Sequence, residues 1–275
     1  MKTTFFFLIS FISVSVFSQK IKFKIHNQKD TTVFLVKYYG KGMYYADTAI
    51  LKNGVCEFKS SKQKPGVLAL FLPGQKYFDF IYNNEDIQME TTSPDLVNNM
   101  IVKKSEENKV FIEYVKFISK QKTLVNDLIK KREVYKKEEA EYKKITDEID
   151  VINKSVIAYQ NDLVKNNPTK LVSKIVKMSI DIVVPDPPKN EKGVVIDSNF
   201  AYKYYREHYF DNIDLKDDRL LNAPMFHNKF DEFFGKRFLY QHPDTIVKYA
   251  YWFVDKLDPK SEIFKYCLTQ ITSNS

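Results

Sequence analysis

The groups best placed to do chemistry in this sequence are the carboxylates of Asp211, Asp214, Asp217 and Asp218, flanked by His208 and His227. Hard cations take oxygen ligands from loops that have a glycine turn and a fixed ligand spacing. The series Asp211-x-x-Asp214-x-x-Asp217 has neither. A zinc-protease helix needs two histidines one turn apart with a glutamate between them, and Glu207-His208 is only half of that. The expected role is therefore structural, with Asp214 or Asp217 capping a helix and Arg219 pairing with an acid. No GxSxG elbow, GxGxxG turn or P-loop is present, and seven glycines leave little for cradling phosphate. No catalytic residue, metal ligand or cofactor is assigned, and enzymatic activity is not expected. Tyr202, Tyr204, Tyr205 and Tyr209 have two readings: walls of a glycan or peptide groove, or a helical core with hydroxyls at its rim. Tyr204, Tyr205, His208, Arg219 and His227 are retained as a candidate binding surface.

Both thiols and the charge balance bear on compartment and partner. Lys2 followed by the apolar run 5–16, with Val16-Phe17-Ser18 before Gln19, reads as a signal peptide cleaved near Ser18. The run is short for a membrane span, so the chain is expected to be exported to the periplasm or outer envelope. An oxidising compartment permits disulfides, yet only Cys56 and Cys267 are present. Separate burial of the two is expected; a bridge would need Cα atoms within about 7 Å, which spacing does not decide. No CxxC pair occurs. The net charge of +8 points to lysines coating solvated helices, or to an envelope surface, rather than to nucleic acid.

The elements that must position these groups fall into two textures. Residues 1–18 are the signal peptide and 19–93 a β domain. Alternation at Ile21, Phe23 and Ile25 marks a half-buried strand, and further strands are expected at 32–38, 44–51, 55–59, 67–72, 77–82 and 86–90. Asn53-Gly54 between two such runs predicts a type I′ hairpin turn. Such closely spaced strands make an antiparallel sandwich or open barrel. From residue 94 to 275 the chain reads as helical. Ser105 is the expected N-cap of a first helix with Glu106 and Glu107 in its first turn. Two apolar series on either side of a charged patch at 130–144 predict a long helical pair over about 104–166, with a continuous coiled coil as the alternative. A short helix at 171–182 opens an aromatic helical core over about 169–272. There Phe200, Tyr204, Tyr205 and His208 share one face, and Pro224 opens a further helix. The fold class is α+β.

The run YKYYREHYFDNIDLKDDRLLNAPMFHNKFDEFF, followed by QHPDTIV, resembles the helical module that precedes the thioredoxin-like domain of envelope thiol–disulfide interchange (TlpA-like, redoxin) proteins. Asp47-Thr48, Asn53-Gly54 with Phe58, and Pro65-Gly66 are similar to the β-rich domain of unknown function at the N-terminus of those proteins, and Ser105-x-x-Asn108 matches their helix start. None of that family's redox residues has a counterpart before Ser275. The resemblance thus implies a non-catalytic accessory or scaffolding region, with a protein partner or self-association through the helical domain. A secreted protein binding glycan, lipid or peptide is the alternative expectation.

Overall fold

The computed structural model describes residues 19–235 and 238–273, so the expected signal peptide lies outside the described residues. The strands are β1 (Lys20–His26), β2 (Thr31–Tyr39), β3 (Gly42–Leu51), β4 (Val55–Lys59), β5 (Gly66–Leu72), β6 (Lys76–Tyr82), β7 (Ile87–Thr92) and β8 (Ile101–Lys104). The helices are α1 (Glu106–Arg132), α2 (Ala140–Asn166), α3 (Leu171–Met178), α4 (Phe200–His208), α5 (Pro224–Phe234), α6 (Pro243–Val254) and α7 (Glu262–Ser273), with a 3-10 turn at Asp218–Asn222. The class is α+β, and the strands form two open four-stranded sheets, β4-β1-β7-β8 and β3-β2-β5-β6, rather than a barrel.

Alternation along each strand dictates this layering. Ile21, Phe23 and Ile25 on β1 and Leu68, Leu70 and Leu72 on β5 turn inward and are buried in one core. Phe23 meets Phe78 and Phe80 edge to face, at centroid distances of 5.4 and 5.0 Å, the geometry favoured by the ring quadrupoles. Asn53 and Gly54 both take positive φ, 51° and 75°, as a type I′ turn requires. That turn carries the chain from β3 in one sheet to β4 in the other.

Two β features depart from the sequence reading. Ile101–Lys104, taken with the helical part, is a strand antiparallel to β7, so the sheet extends past residue 93. Its four residues are too few to display a period. The central pair β1–β7 is parallel, with Ile21 opposite Ile87, in a fold otherwise antiparallel. That pairing joins segments far apart in the chain and has no local signature.

α1 and α2 form the expected antiparallel pair, turning at 133–139 within the charged patch. Phe117 stacks on Tyr159 at 4.1 Å near the base, and Arg132 lies 5.1 Å over the Tyr142 ring near the tip. α3 ends at Met178 instead of Ile182. The Ser179 hydroxyl donates back to the Val176 carbonyl at 2.6 Å, offering the backbone an alternative to another helical turn. α4 buries none of its residues, contrary to the expectation for Phe200, Tyr204, Tyr205 and His208 as a core face. The rings that fill the helical core belong to the turn just after it, Tyr209 and Phe210, and to Phe226, Phe230, Phe233 and Phe253.

The second core lies between these helices and the outer face of sheet β3-β2-β5-β6, where Tyr38, Val67, Ala69 and Ile81 are buried against them. Gly40, at φ 55°, lets the β2–β3 turn lie against the Tyr266 ring, where a Cβ would overlap it.

Candidate functional site

The start of α1 is the point at which sandwich and helices are joined. Ser105 is its N-cap, its hydroxyl accepting from Asn108 N at 2.9 Å, as the sequence predicts. The Glu85 carboxylate adds to the cap, accepting from the Ser105 hydroxyl and from the backbone N–H of Glu106 at 3.0 Å and of Glu107 at 3.2 Å. A carboxylate here satisfies orphan N–H groups and complements the helix dipole.

Asn108 is completely buried, and its amide pairs with the edge of the sheet. Its Oδ1 accepts from Ile81 N and its Nδ2 donates to Ile81 O, both at 2.7 Å. One side chain thus makes the two hydrogen bonds a neighbouring strand would make to β6.

Glu107, one residue earlier, is buried and points into the helical module. Its oxygens accept from Leu171 N at 2.8 Å and Val172 N at 2.9 Å, capping α3, and from Asn83 Nδ2 at 2.8 Å. Asn83 Oδ1 in turn accepts from Arg219 Nη1 at 2.9 Å.

Arg219 holds Asp217 through a fork, Nε–Oδ1 at 2.7 Å and Nη2–Oδ2 at 2.5 Å, and Lys174 reaches Asp217 at 2.6 Å and Asp214 at 2.9 Å. Asp217 also caps the 3-10 turn through Arg219 N. The acidic turn therefore does what its spacing suggested, with Arg219 paired to an acid. Among the described residues no three of His, Cys, Asp and Glu gather as a metal-holding group.

Burial pushes the Asp217 carboxyl up, but the hydrogen bonds from Arg219 and Lys174 prevail and bring it down to about 2. A folded pKa below the unfolded 3.8 contributes stability that is complete above about pH 4 and is lost as pH falls towards 2. Because Lys174 remains 27% exposed, solvent screening reduces this to about 1 kcal/mol. The difference in urea midpoint between the wild type and Asp217→Asn is expected at pH 7 and should shrink by pH 2.5. A pH-independent difference would reject the linkage.

The five residues retained from the sequence do not converge. Tyr204, Tyr205 and His208 sit together on α4: His208 stacks on Tyr204 at 4.1 Å and its Nδ1 is 2.6 Å from Asp211 Oδ2, while Tyr205 packs on Tyr209. Arg219 faces the sandwich. His227, on α5, shares a 2.8 Å hydrogen bond with the Tyr266 hydroxyl of α7, and burial lowers its pKa.

Arg219 lines a cleft of about 280 Å³ between sheet and helices, together with Lys37, Tyr39, Lys64, Asp218 and Glu262. A larger groove of about 610 Å³ runs between α5, α6 and α7, walled by Phe230, Phe234, Ile246 and Ile271, and contains none of the five. The two residues that organise the junction, Glu107 and Asn108, were not among the candidates. A glutamate and an asparagine beside the apolar series that begins at Val110 were the available signal.

Cys56 lies in the sandwich core and Cys267 in the helical core, and neither is bridged. Burial pushes both thiols up to about 12.

Fold and junction together define an α+β protein in which an open two-sheet sandwich is fastened to a helical module by buried polar side chains. The model of a family described as a domain of unknown function (DUF4369) matches residues 19–111, which span the sandwich and the opening turn of α1. No curated protein and no solved structure matches the chain.

Proposed function

We propose that this chain is a non-catalytic accessory or scaffolding module of an envelope thioredoxin-like, thiol–disulfide interchange system, exported and cleaved near Ser18. The observation that carries the reading is the junction. An uncharacterised N-terminal domain continues into an aromatic helical module, and side chains buried between the two fix their relation. The redox assignment rests on the resemblance of the aromatic run to the module that precedes thioredoxin-like domains. Such a unit can hold or orient a partner.

The chemistry available to the thiols agrees. Exchange requires a thiolate, and groups pushed up to about 12 remain protonated at neutral pH. The junction acids Glu107 and Asp217 already accept hydrogen bonds from cations, amides or helix ends.

The test uses protein purified from the envelope fraction. Its N-terminus is expected at Gln19, and it should neither reduce insulin disulfides nor decompose peroxide. Crosslinking in the envelope should join it to a protein with a thioredoxin fold. Turnover in either assay, or crosslinked products lacking any such protein, overturns the reading.

A further inference from the structure

The two outward faces of the sandwich differ in kind. Strand alternation places Lys22, Lys24, Glu57, Lys59, Glu90 and Lys104 on the outer face of sheet β4-β1-β7-β8, a charged surface suited to water. On the other sheet, the register aligns Thr48, Phe34, Phe71 and Tyr77 in one outward row across all four strands. Neighbouring rows add Ile50 opposite Thr32, Tyr45 opposite Val36 and Met43 opposite Tyr38. The acid in these rows, Asp79, accepts from the Tyr38 hydroxyl at 2.9 Å.

The helices cover the end of this face that contains Tyr38, Val67 and Ile81 and leave the rest open. Ile50 is 62%, Tyr45 60%, Tyr77 49%, Met43 46% and Phe34 41% exposed. The rings are already ordered among themselves: Phe71 stacks on Tyr77 at 4.7 Å and Phe34 meets Tyr45 at 5.9 Å. Contiguous exposed apolar surface of this kind marks an interaction site.

We propose that a second copy of this chain covers it, the two sheets stacking face to face about a two-fold axis. The area is sufficient. Side chains of this size carry on the order of 150–250 Å² each, so five that are half exposed offer about 500 Å² per copy and about 1,000 Å² per pair, the lower bound for a specific dimer. Charge selects the occupant. Two chains of net charge +8 repel on most approaches, and this face, whose acid Asp79 is already engaged by Tyr38, is where they can meet without opposing lysines.

Face-to-face stacking is also preferred to pairing of β3 edges. A bulge interrupts β3 opposite Leu35 and Val36, and the Asp47 carboxylate accepts from Thr48 N at 2.9 Å, both devices that blunt an edge. The proposal places self-association on the sandwich, not on the helical module, and is independent of the redox reading.

The experiment is sedimentation equilibrium of residues 19–275 from about 1 to 200 µM. Two chains per particle are expected, with Tyr45→Lys and Ile50→Lys each weakening dimerisation at least tenfold and Lys22→Glu on the opposite face leaving it unchanged. Both substituted side chains are more than half exposed, so circular dichroism and thermal midpoints should match the wild type and separate lost association from lost folding. A monomer at 200 µM, or a dimer that survives both substitutions, overturns the proposal. So does a monomer that binds the outer-membrane lipid surface through this face.

Discussion

Phe233→Ala should cost about 4 kcal/mol, the middle of the range for removing a buried aromatic ring. Phe233 is fully buried and lies where the helical rings meet. Its ring is 4.9 Å from Phe210, 5.1 Å from Tyr209 and 5.7 Å from Trp252, so truncation removes packing from two separate chain segments at once. The walls are large and interlocked, and collapse into the void would require several of them to leave their rotamers together. For a chain of this length the thermal midpoint should fall by about 10 °C. Far-UV circular dichroism and urea titration measure the loss. A change below about 1.5 kcal/mol would mean that the core repacks freely and that its density of rings is not what holds the module.

Asn108→Ala should cost about 3 kcal/mol although it deletes only a small side chain. Two effects add. The N–H and C=O of Ile81 lose their partners in a site from which water is excluded, each at about 1–2 kcal/mol. The second contact of the Ser105 cap, from Asn108 Nδ2 at 2.7 Å, is lost as well. Asn108→Asp discriminates the mechanism: it keeps the shape and one acceptor, yet introduces a buried charge facing the Ile81 carbonyl, and should be no better than alanine. Hydrogen exchange at Ile81 is the direct readout. If that amide stays as protected in Asn108→Ala as in the wild type, the side chain is not closing the strand edge.

Much of the fold was readable from residue order because the deciding signals are local. Ile21, Phe23 and Ile25 alternate, Asn53-Gly54 admits one kind of turn, Ser105 precedes two acids, and Pro224 suits the first position of a helix. Seven strands and the helical pair follow from such patterns. What escaped depends on distance. The parallel β1–β7 ladder joins segments separated by most of the sandwich, and nothing near either one announces its partner. The short strand at Ile101 is defined by the neighbour it finds.

The functional residues were harder for a different reason. Aromatic density drew attention to α4, whose side chains are half open, while the rings that fill the interior follow it at Tyr209 and Phe210. Arg219 was correctly paired with an acid but stands apart from Tyr204, Tyr205 and His208, because a shared stretch of sequence does not imply a shared pocket. Glu107 looks like an acid complementing its own helix dipole, whereas it caps α3, more than sixty residues later. Only the packed chain assigns a first-turn carboxylate to one helix or the other.

The amide of Asn108 has an implication for where this domain can be cut or transplanted. A fragment ending at Lys104 would keep every strand yet expose a bare ladder along β6, inviting stray chains to extend it. The family match runs to residue 111, beyond the last strand by enough to bring that plug along. The opening turn of α1 thus travels with the sandwich as its lid, and the natural seam between the two halves lies inside a helix rather than at its beginning.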